Sequence, residues 1–288
     1  MPSSVVSELE KGMKLEIYKP LWGHIGSLDD AVTQAVEANF DGIEGPVPAD
    51  AEARDRFGEL LEANELGLIA EVTTGGNYVP DPSASPDSHL DDLRRGIERS
   101  LPLAPKFVNT QAGLDAWDFA TQVEFHAEIV ALEIEYEIAI SVETHRSRST
   151  FHPWGTRDLL EAIPELGISC DFSHWCCVSE RLVMDDDPEL LALMASRCRH
   201  IHARVGYDQG PQVPDPRAPE FSEAVARHRA WWEVLWKTRE SSGDTVTTFT
   251  PEFGTDGYLH LEPYTRTPVA DLWEVNRWMG ERLREWFV

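Results

Sequence analysis

The chain has 288 residues, 42% of them hydrophobic and 26% charged, which is enough apolar sequence to build the core of one large soluble domain. Its 25 basic residues face 51 acidic ones, a formal net charge of -26 that repels phosphate polymers and anionic membranes at long range and argues against a nucleic-acid substrate. No apolar stretch approaches the roughly 20 residues of a membrane span, and MPSSVVSELEKGMK at the N-terminus lacks the basic-then-apolar order of a signal peptide. The four cysteines, Cys170, Cys176, Cys177 and Cys198, do not have the spacing of a zinc knuckle, and a reduced, cytoplasmic protein is expected. The acidic excess reads as a highly solvated surface suited to a salty environment, ahead of an acidic binding role.

Two textures alternate along the chain. KLEIYKP (14 to 20) is strand-like, and SLDDAVTQAVEANF (27 to 40) has helical periodicity with Ser27 as its N-cap. DGIEGP (41 to 46) is strand-like again and precedes a helix from about 50 to 64. LGLIAEVTT (66 to 74) reads as a buried strand, followed by a polar loop to 86 and a helix over 88 to 103. PKFVNTQAG (105 to 113) is a strand and 117 to 136 a long helix. The second half brings IAISVE (138 to 143), LGISCD (166 to 171), CRHIHAR (198 to 204) and TVTTFTPE (245 to 252), with helices predicted at 156 to 164, 188 to 197, 220 to 240 and 268 to 286. Eight strands, each followed by a helix, predict an α/β fold of the (β/α)8 TIM barrel type over residues 1–288, with residues 1–12 as an N-terminal extension. A doubly wound open sheet is the alternative, but no GxGxxG follows the first strand.

The last four strands each end in a polar residue: Glu143, Asp171, His202 and Glu252. In a parallel barrel these side chains converge at one open end, where catalytic groups of such barrels sit. Two Glu, one Asp and one His form a hard-cation donor set, suited to one divalent metal ion, Mn, Mg, Co or Zn. A lone carboxylate at a strand end often does no more than bind loop amides, and a lone D-x-x-H such as Asp171 to His174 carries little weight. Four consecutive strand ends of this kind require four separate coincidences. His200 and His202 share one face of their strand because side chains alternate, and Arg204 continues that face. Its fork of donors suits a substrate oxygen or carboxylate.

The motifs SVETH, DFSH, HIHAR and PEFG, in this order, resemble those of the xylose isomerase-like barrels of sugar isomerases and epimerases. GIEGP and FVNTQAG extend the resemblance over nearly the whole chain. The resemblance implies that Glu143, Asp171, His202 and Glu252 hold one divalent cation, with His174 and Arg204 on substrate oxygens. Glu143 and Glu252 would then exchange protons with a ketose whose enediolate the metal stabilises, giving epimerisation or isomerisation. Two-metal xylose isomerases carry D-x-D after the sixth strand, whereas this chain reads Asp171-Phe172-Ser173, so one metal is expected. Endonuclease IV has additional His ligands on its third and fourth strands, which here read EVTTG and FVNTQAG.

Two loops and several aromatic residues complete the expectations. Trp22, Trp154 and Trp175 fall in loops at the predicted active end, where they either stack on sugar or pack the barrel mouth. Trp231, Trp232 and Trp236 belong to the outer core or a subunit contact. VGYDQGPQVPDPRAPE (205 to 220), with Tyr207, Asp208 and Gln209, is a candidate lid, and HRSRSTFHPWGTR (145 to 157) brings His145 and several Arg beside Glu143. The arginines serve acidic or phosphorylated sugars, or offset nearby carboxylates. A small-molecule sugar or keto-sugar substrate and a homo-oligomer are expected. Two alternatives share the sequence features. One is a metal-dependent lyase or dehydratase on a keto sugar, 3-keto-glycoside or dehydroshikimate-like acid, and the other is a non-catalytic carbohydrate-binding barrel.

Overall fold

Strand pairing closes on itself. The strands Lys14–Pro20 (β1), Gly42–Gly45 (β2), Gly67–Thr73 (β3), Val108–Gln111 (β4), Ile140–Glu143 (β5), Gly167–Cys170 (β6), Cys198–His202 (β7) and Val246–Thr250 (β8) are parallel and follow one another round a barrel. β1 seals it against β8, from Lys14 opposite Val246 to Ile17 opposite Phe249. The computed structural model describes residues 12–255 and 257–287, so all but Gly12 of the predicted N-terminal extension lies outside the described residues.

Helices Leu28–Glu37 (α1), Ala51–Ala63 (α2), Pro86–Ser100 (α3), Phe119–Tyr136 (α4), Pro153–Ala162 (α5), Phe172–Val178 (α6), Pro188–Arg197 (α7), Ser222–Ser241 (α8) and Leu272–Trp286 (α9) run round the outside. Ser27 does cap α1, in a reciprocal capping box with Asp30. None of these helices is long and apolar enough to cross a membrane. The four cysteines are free thiols.

Side-chain alternation divides each strand between two environments. Ile17, Ile43, Ala70, Val108, Val142, Ile168, Ile201 and Phe249 belong to the apolar layer shared with the helices. Each large aliphatic or aromatic group buried there contributes roughly 1.5–3 kcal/mol. The inward residues are different in kind. Tyr18, Ile69 and Phe107 form a separate apolar plug. Beyond it, toward the C-terminal ends of the strands, the interior is polar: Glu44, Asn109, Ser141, Ser169 and His200 are all buried. A polar barrel interior has to satisfy its own hydrogen bonds. Ser169 Oγ donates to Ser141 Oγ at 2.8 Å, and His200 Nδ1 meets Thr248 Oγ1 at 2.7 Å.

One helix lies where the sequence reading placed only a strand end. Asp171 leaves β6 and immediately caps α6, accepting from the Ser173 amide at 2.9 Å. FSHWCCV is seven residues long and mostly buried, so it has no polar stripe from which a helical period can be read. Trp231 and Trp232 on α8 are core residues, as the sequence suggested for the outer layer.

Candidate active site

β5, β6, β7 and β8 carry Glu143, Asp171, His202 and Glu252 to the same end of the barrel, and one donor atom from each lies within 4.8 Å of the others. All four side chains are buried. His202 Nδ1 is 2.9 Å from Glu252 Oε2 and 3.5 Å from Glu143 Oε1. None of these three buried atoms completes a hydrogen bond. Buried acceptors without donors are costly, and here they share one point. Three carboxylates and an imidazole converge there, and two of the carboxylates and the imidazole each keep an unsatisfied atom, a set that could hold a divalent ion of the harder class.

The other ring nitrogen of His202 is fixed by Glu44 on β2, whose Oε1 lies 3.0 Å from Nε2. Glu44 Oε2 lies 3.1 Å from His200 Nε2, and Asn109 Nδ2 donates to Oε1 at 3.0 Å. Burial opposes the Glu44 anion, but His202 and His200 outweigh it and hold the carboxyl well below its ordinary range. An ionised carboxylate only accepts, so His202 Nε2 donates and Nδ1 faces the cluster. Burial also disfavours charge on His202, yet Glu252, Glu44 and Glu143 together hold its pKa well above the ordinary value. The same three acids would attract a metal ion.

The two glutamates differ in proton affinity. Burial pushes Glu252 up, Glu143 adds to the rise against the pull of His202, and the result is about 7. Burial acts on Glu143 in the same direction, but His202, His145 and Arg204 prevail and hold it down at about 2. Gln111 Nε2 donates to Glu143 Oε2 at 3.0 Å.

Arg204 and His174 are held together beside this cluster. Arg204 donates to Asp171 Oδ2 in a close ion pair, to His174 Nε2 at 2.6 Å and to Ser173 Oγ at 3.0 Å. Because His174 Nε2 accepts from a guanidinium, its buried, unpartnered Nδ1 carries the proton in the neutral ring. Burial, then the cations nearby, keep His174 neutral. His145 stacks against it with ring centroids 4.0 Å apart, and its Nδ1 is 2.5 Å from the Arg146 carbonyl oxygen.

Above the cluster is a narrow cavity of about 30 Å³ lined by Trp22, Glu71, Tyr78, Gln111, Glu143, His145, Arg204, Glu252 and Tyr258. Trp22 meets Tyr258 edge to face at 4.9 Å, and the Arg204 guanidinium lies 5.3 Å from the Trp22 ring and 4.9 Å from Tyr258. The volume is about that of one water, so a sugar must displace part of this aromatic wall. A roomier cavity of about 540 Å³ lies on the outer side of Trp22, lined by Lys19, Gln34 and Trp273 among others. It lacks a cluster of acids and histidines, and the chemistry belongs to the smaller space.

Four expected contacts fall elsewhere. Trp175 is not at the mouth: it is buried in α6, donates to the Thr150 carbonyl at 2.9 Å and packs on Phe172. Trp154 lies at the start of α5, against His152. Tyr207 exchanges backbone hydrogen bonds with Gly210 and packs on Phe221, outside the cavity. Its segment, 205 to 220, is tethered, because Gln212 donates to the Gly254 carbonyl at 3.1 Å and accepts from the Gly254 amide at 2.8 Å. Arg148 does not line the cavity, although its charge interacts favourably with Glu143 at a distance. It is buried and donates to the carbonyls of Thr74, Asn77 and Tyr78 at 2.6–2.9 Å, which fixes the loop that carries Tyr78 to the cavity. Glu44, Glu71, Gln111, Tyr78 and Tyr258 were not singled out from sequence. Glu44, Glu71 and Gln111 sit on inward positions of early strands, so alternation within GIEG, GLIAEVT and VNTQ was the available signal.

No protein-family profile matches the chain, and neither does any curated protein sequence. Solved structures do. A 3-keto-D-glucoside 4-epimerase from E. coli superposes with a TM-score of 0.62 at 12% identity, over 94% of this chain and 100% of its own. A probable 3-DHS dehydratase of petrobactin synthesis from Bacillus anthracis gives 0.61 at 16% identity, over 94% and 99%. A xylose isomerase-like TIM barrel protein from Mycobacterium smegmatis, in complex with magnesium, gives 0.60 at 14% identity, over 95% and 98%. The chain therefore shares the TIM barrel fold of these proteins. The same fold carries endonuclease IV in Thermus thermophilus, so it does not choose a reaction.

Proposed function

We propose that the protein is a divalent-metal-dependent enzyme that isomerises or epimerises a sugar or keto-sugar by moving a proton next to a carbonyl. The observation that carries this reading is the convergence of Glu143, Asp171, His202 and Glu252, with buried atoms of three of them lacking hydrogen-bond partners at one point. Bound there, one Mn, Mg, Co or Zn ion would polarise a carbonyl and its neighbouring hydroxyl and make the adjoining carbon–hydrogen bond acidic.

The chain's own residues supply the rest. Glu143 and Glu252 come from β5 and β8, the outer two of the four ligand strands, and both line the cavity. One can take a proton from the substrate carbon while the other returns one from a different direction. Arg204 is locked by Asp171, Ser173 and His174 and stays directed at the site without reorganising. Trp22 and Tyr258 offer ring faces to the carbon–hydrogen surface of a sugar and exclude water.

Elemental mass spectrometry on protein purified without chelator tests the metal, with about one ion per chain expected from four ligands. Incubating ketoses and keto-glycosides in D₂O then tests the proton transfer, by deuterium appearing next to the carbonyl. Elimination products in place of exchanged sugar would move the reaction to the lyase class. A chain that takes up no ion from any of the four metals would sink the enzymatic reading.

A further inference from the structure

Glu71 is a fifth inward carboxyl. Alternation along β3 puts it on the same face as Ile69 of the interior plug, one step nearer the mouth, and it lines the cavity together with Glu143 and Glu252. The other acids at this end have partners or belong to the four-residue cluster, as Glu143 and Glu252 do. Glu44 has both oxygens on histidines, Asp171 holds Arg204 and Ser173, and Glu143 takes Gln111. The carboxyl of Glu71 makes no hydrogen bond or ion pair among the described residues, and it is not in the four-residue cluster.

A second group on the neighbouring strand has the same deficiency. Gln111 is turned so that Nε2 donates to Glu143, an orientation fixed because a carboxylate only accepts. Its Oε1 is left buried without a donor. In the β3–β4 register Gln111 is opposite Thr73 and Asn109 is opposite Glu71, so Glu71 and Gln111 are diagonal neighbours on the inner face. Both offer oxygen, and both lack a donor.

The cations nearby are already occupied. Among the described residues Arg204 is the one guanidinium lining the cavity, against three carboxyls; its Nε and Nη2 go to Ser173, Asp171 and His174, and Nη1 donates to the Glu252 carbonyl at 3.4 Å. Arg148 serves backbone carbonyls. Arg146 stacks on Tyr258 at 4.7 Å and is not part of the lining.

We propose that Glu71 determines specificity: with Gln111 Oε1 it takes the hydroxyls of an uncharged polyhydroxy carbonyl substrate, on the side away from the metal ligands, and excludes acidic and phosphorylated ones. The proposal rests on the reading of the site as a sugar-converting metal centre. The Glu71 and Gln111 oxygens accept from hydroxyls, whereas on their side of the cavity a substrate carboxylate or phosphate would meet acceptors and no cation, because Arg204 and the metal ligands come from β5 to β8 and the segments that follow them. A dehydroshikimate-like acid is therefore the wrong charge class for this cavity.

The test uses the Mg²⁺-loaded full chain, with L-ribulose and D-tagatose as uncharged probes and L-ribulose 5-phosphate and 3-dehydroshikimate as anionic ones. Binding is read by saturation-transfer NMR and turnover by product analysis. The wild type is expected to bind the uncharged probes and not the anions. Glu71→Gln is expected to keep its metal, to raise KM about ten-fold with kcat changed by less than about three-fold, as for loss of one hydrogen bond made in ground and transition state alike, and to admit the anions. Glu71→Asp keeps the carboxyl and should keep excluding anions, which separates the role from general damage to the fold. Preference of the wild type for either anion, binding of neither class with metal in place, or an unchanged Glu71→Gln overturns the proposal. A chain without metal sinks the underlying reading as well, and the metal content tells the two failures apart.

Discussion

Glu44 Oε1 and His202 Nε2 are 3.0 Å apart inside the barrel, and that bond decides which nitrogen of His202 faces the cluster. A carboxylate behind a ligating imidazole fixes its tautomer and raises its basicity. Glu44 is therefore a positioning residue although it does not reach the cavity.

Its removal should weaken the site without touching a ligand. Glu44→Gln should lower Mn²⁺ affinity by about 10–100-fold, the range seen for such supporting partners, as read by titration calorimetry. An affinity unchanged within error would mean that His202 is oriented by packing alone. The same change strips a charged partner from His200 and Asn109, so the melting temperature should fall too.

Much of this was legible in the sequence and some was not. Each of the eight strands, and each following helix except the short buried α6, has a period or apolar run that could be read locally, and Glu143, Asp171, His202 and Glu252 stand out because they interrupt apolar runs at strand ends. Glu44 and Glu71 interrupt runs as well, in GIEG and GLIAEVT, but nothing local says that one pairs with a histidine more than 150 residues away while the other has no hydrogen-bond partner among the described residues. Trp175 failed for a related reason. Its segment was read as a mouth loop, whereas α6 turns the ring under the Thr150 carbonyl. Arg148 was read by charge, and its actual role depends on three carbonyls of a loop that the sequence leaves featureless.

That loop gives a second prediction. Arg148→Ala removes the donors that hold residues 74–78 and leaves the buried Thr74 carbonyl without this partner. The stability loss should be about 3 kcal/mol, the scale for breaking a buried charged hydrogen-bond network, measured by urea unfolding. Hydrogen exchange should rise locally around Tyr78. Uniform exchange across the barrel would contradict a local tether.

Gly254 tests the aromatic wall. A Cβ at this position would come within 1.9 Å of the six-membered ring of Trp22. Gly254→Ala should therefore push Trp22 away from Arg204 and Tyr258, raising KM for the sugar more than it lowers kcat, because the stacking surface moves while the metal ligands do not. Metal content should stay at the wild-type value. A loss of metal in this variant would show that the loop after β8 positions Glu252 as well.

Glu71 gives the chain a pH signature in the presence of chelator. Burial, then the charges of Glu252, Glu44 and Glu143, push its carboxyl from the ordinary 4.5 up to about 8. A raised folded-state pKa means that the folded chain holds a proton which the unfolded chain has released, so the stabilising contribution is complete below about 4.5 and is lost as pH rises through about 8. Glu252, pushed to about 7, acts in the same direction. Below about pH 6.5 the buried histidines, held neutral by burial, oppose this trend, so the melting temperature of the chelated protein should decline from pH 7 to pH 9, and Glu71→Gln, which cannot ionise, should flatten that decline and melt higher at the alkaline end. A Glu71→Gln curve parallel to the wild type would mean that Glu71 is already ionised at neutral pH, paired with a cation in solution.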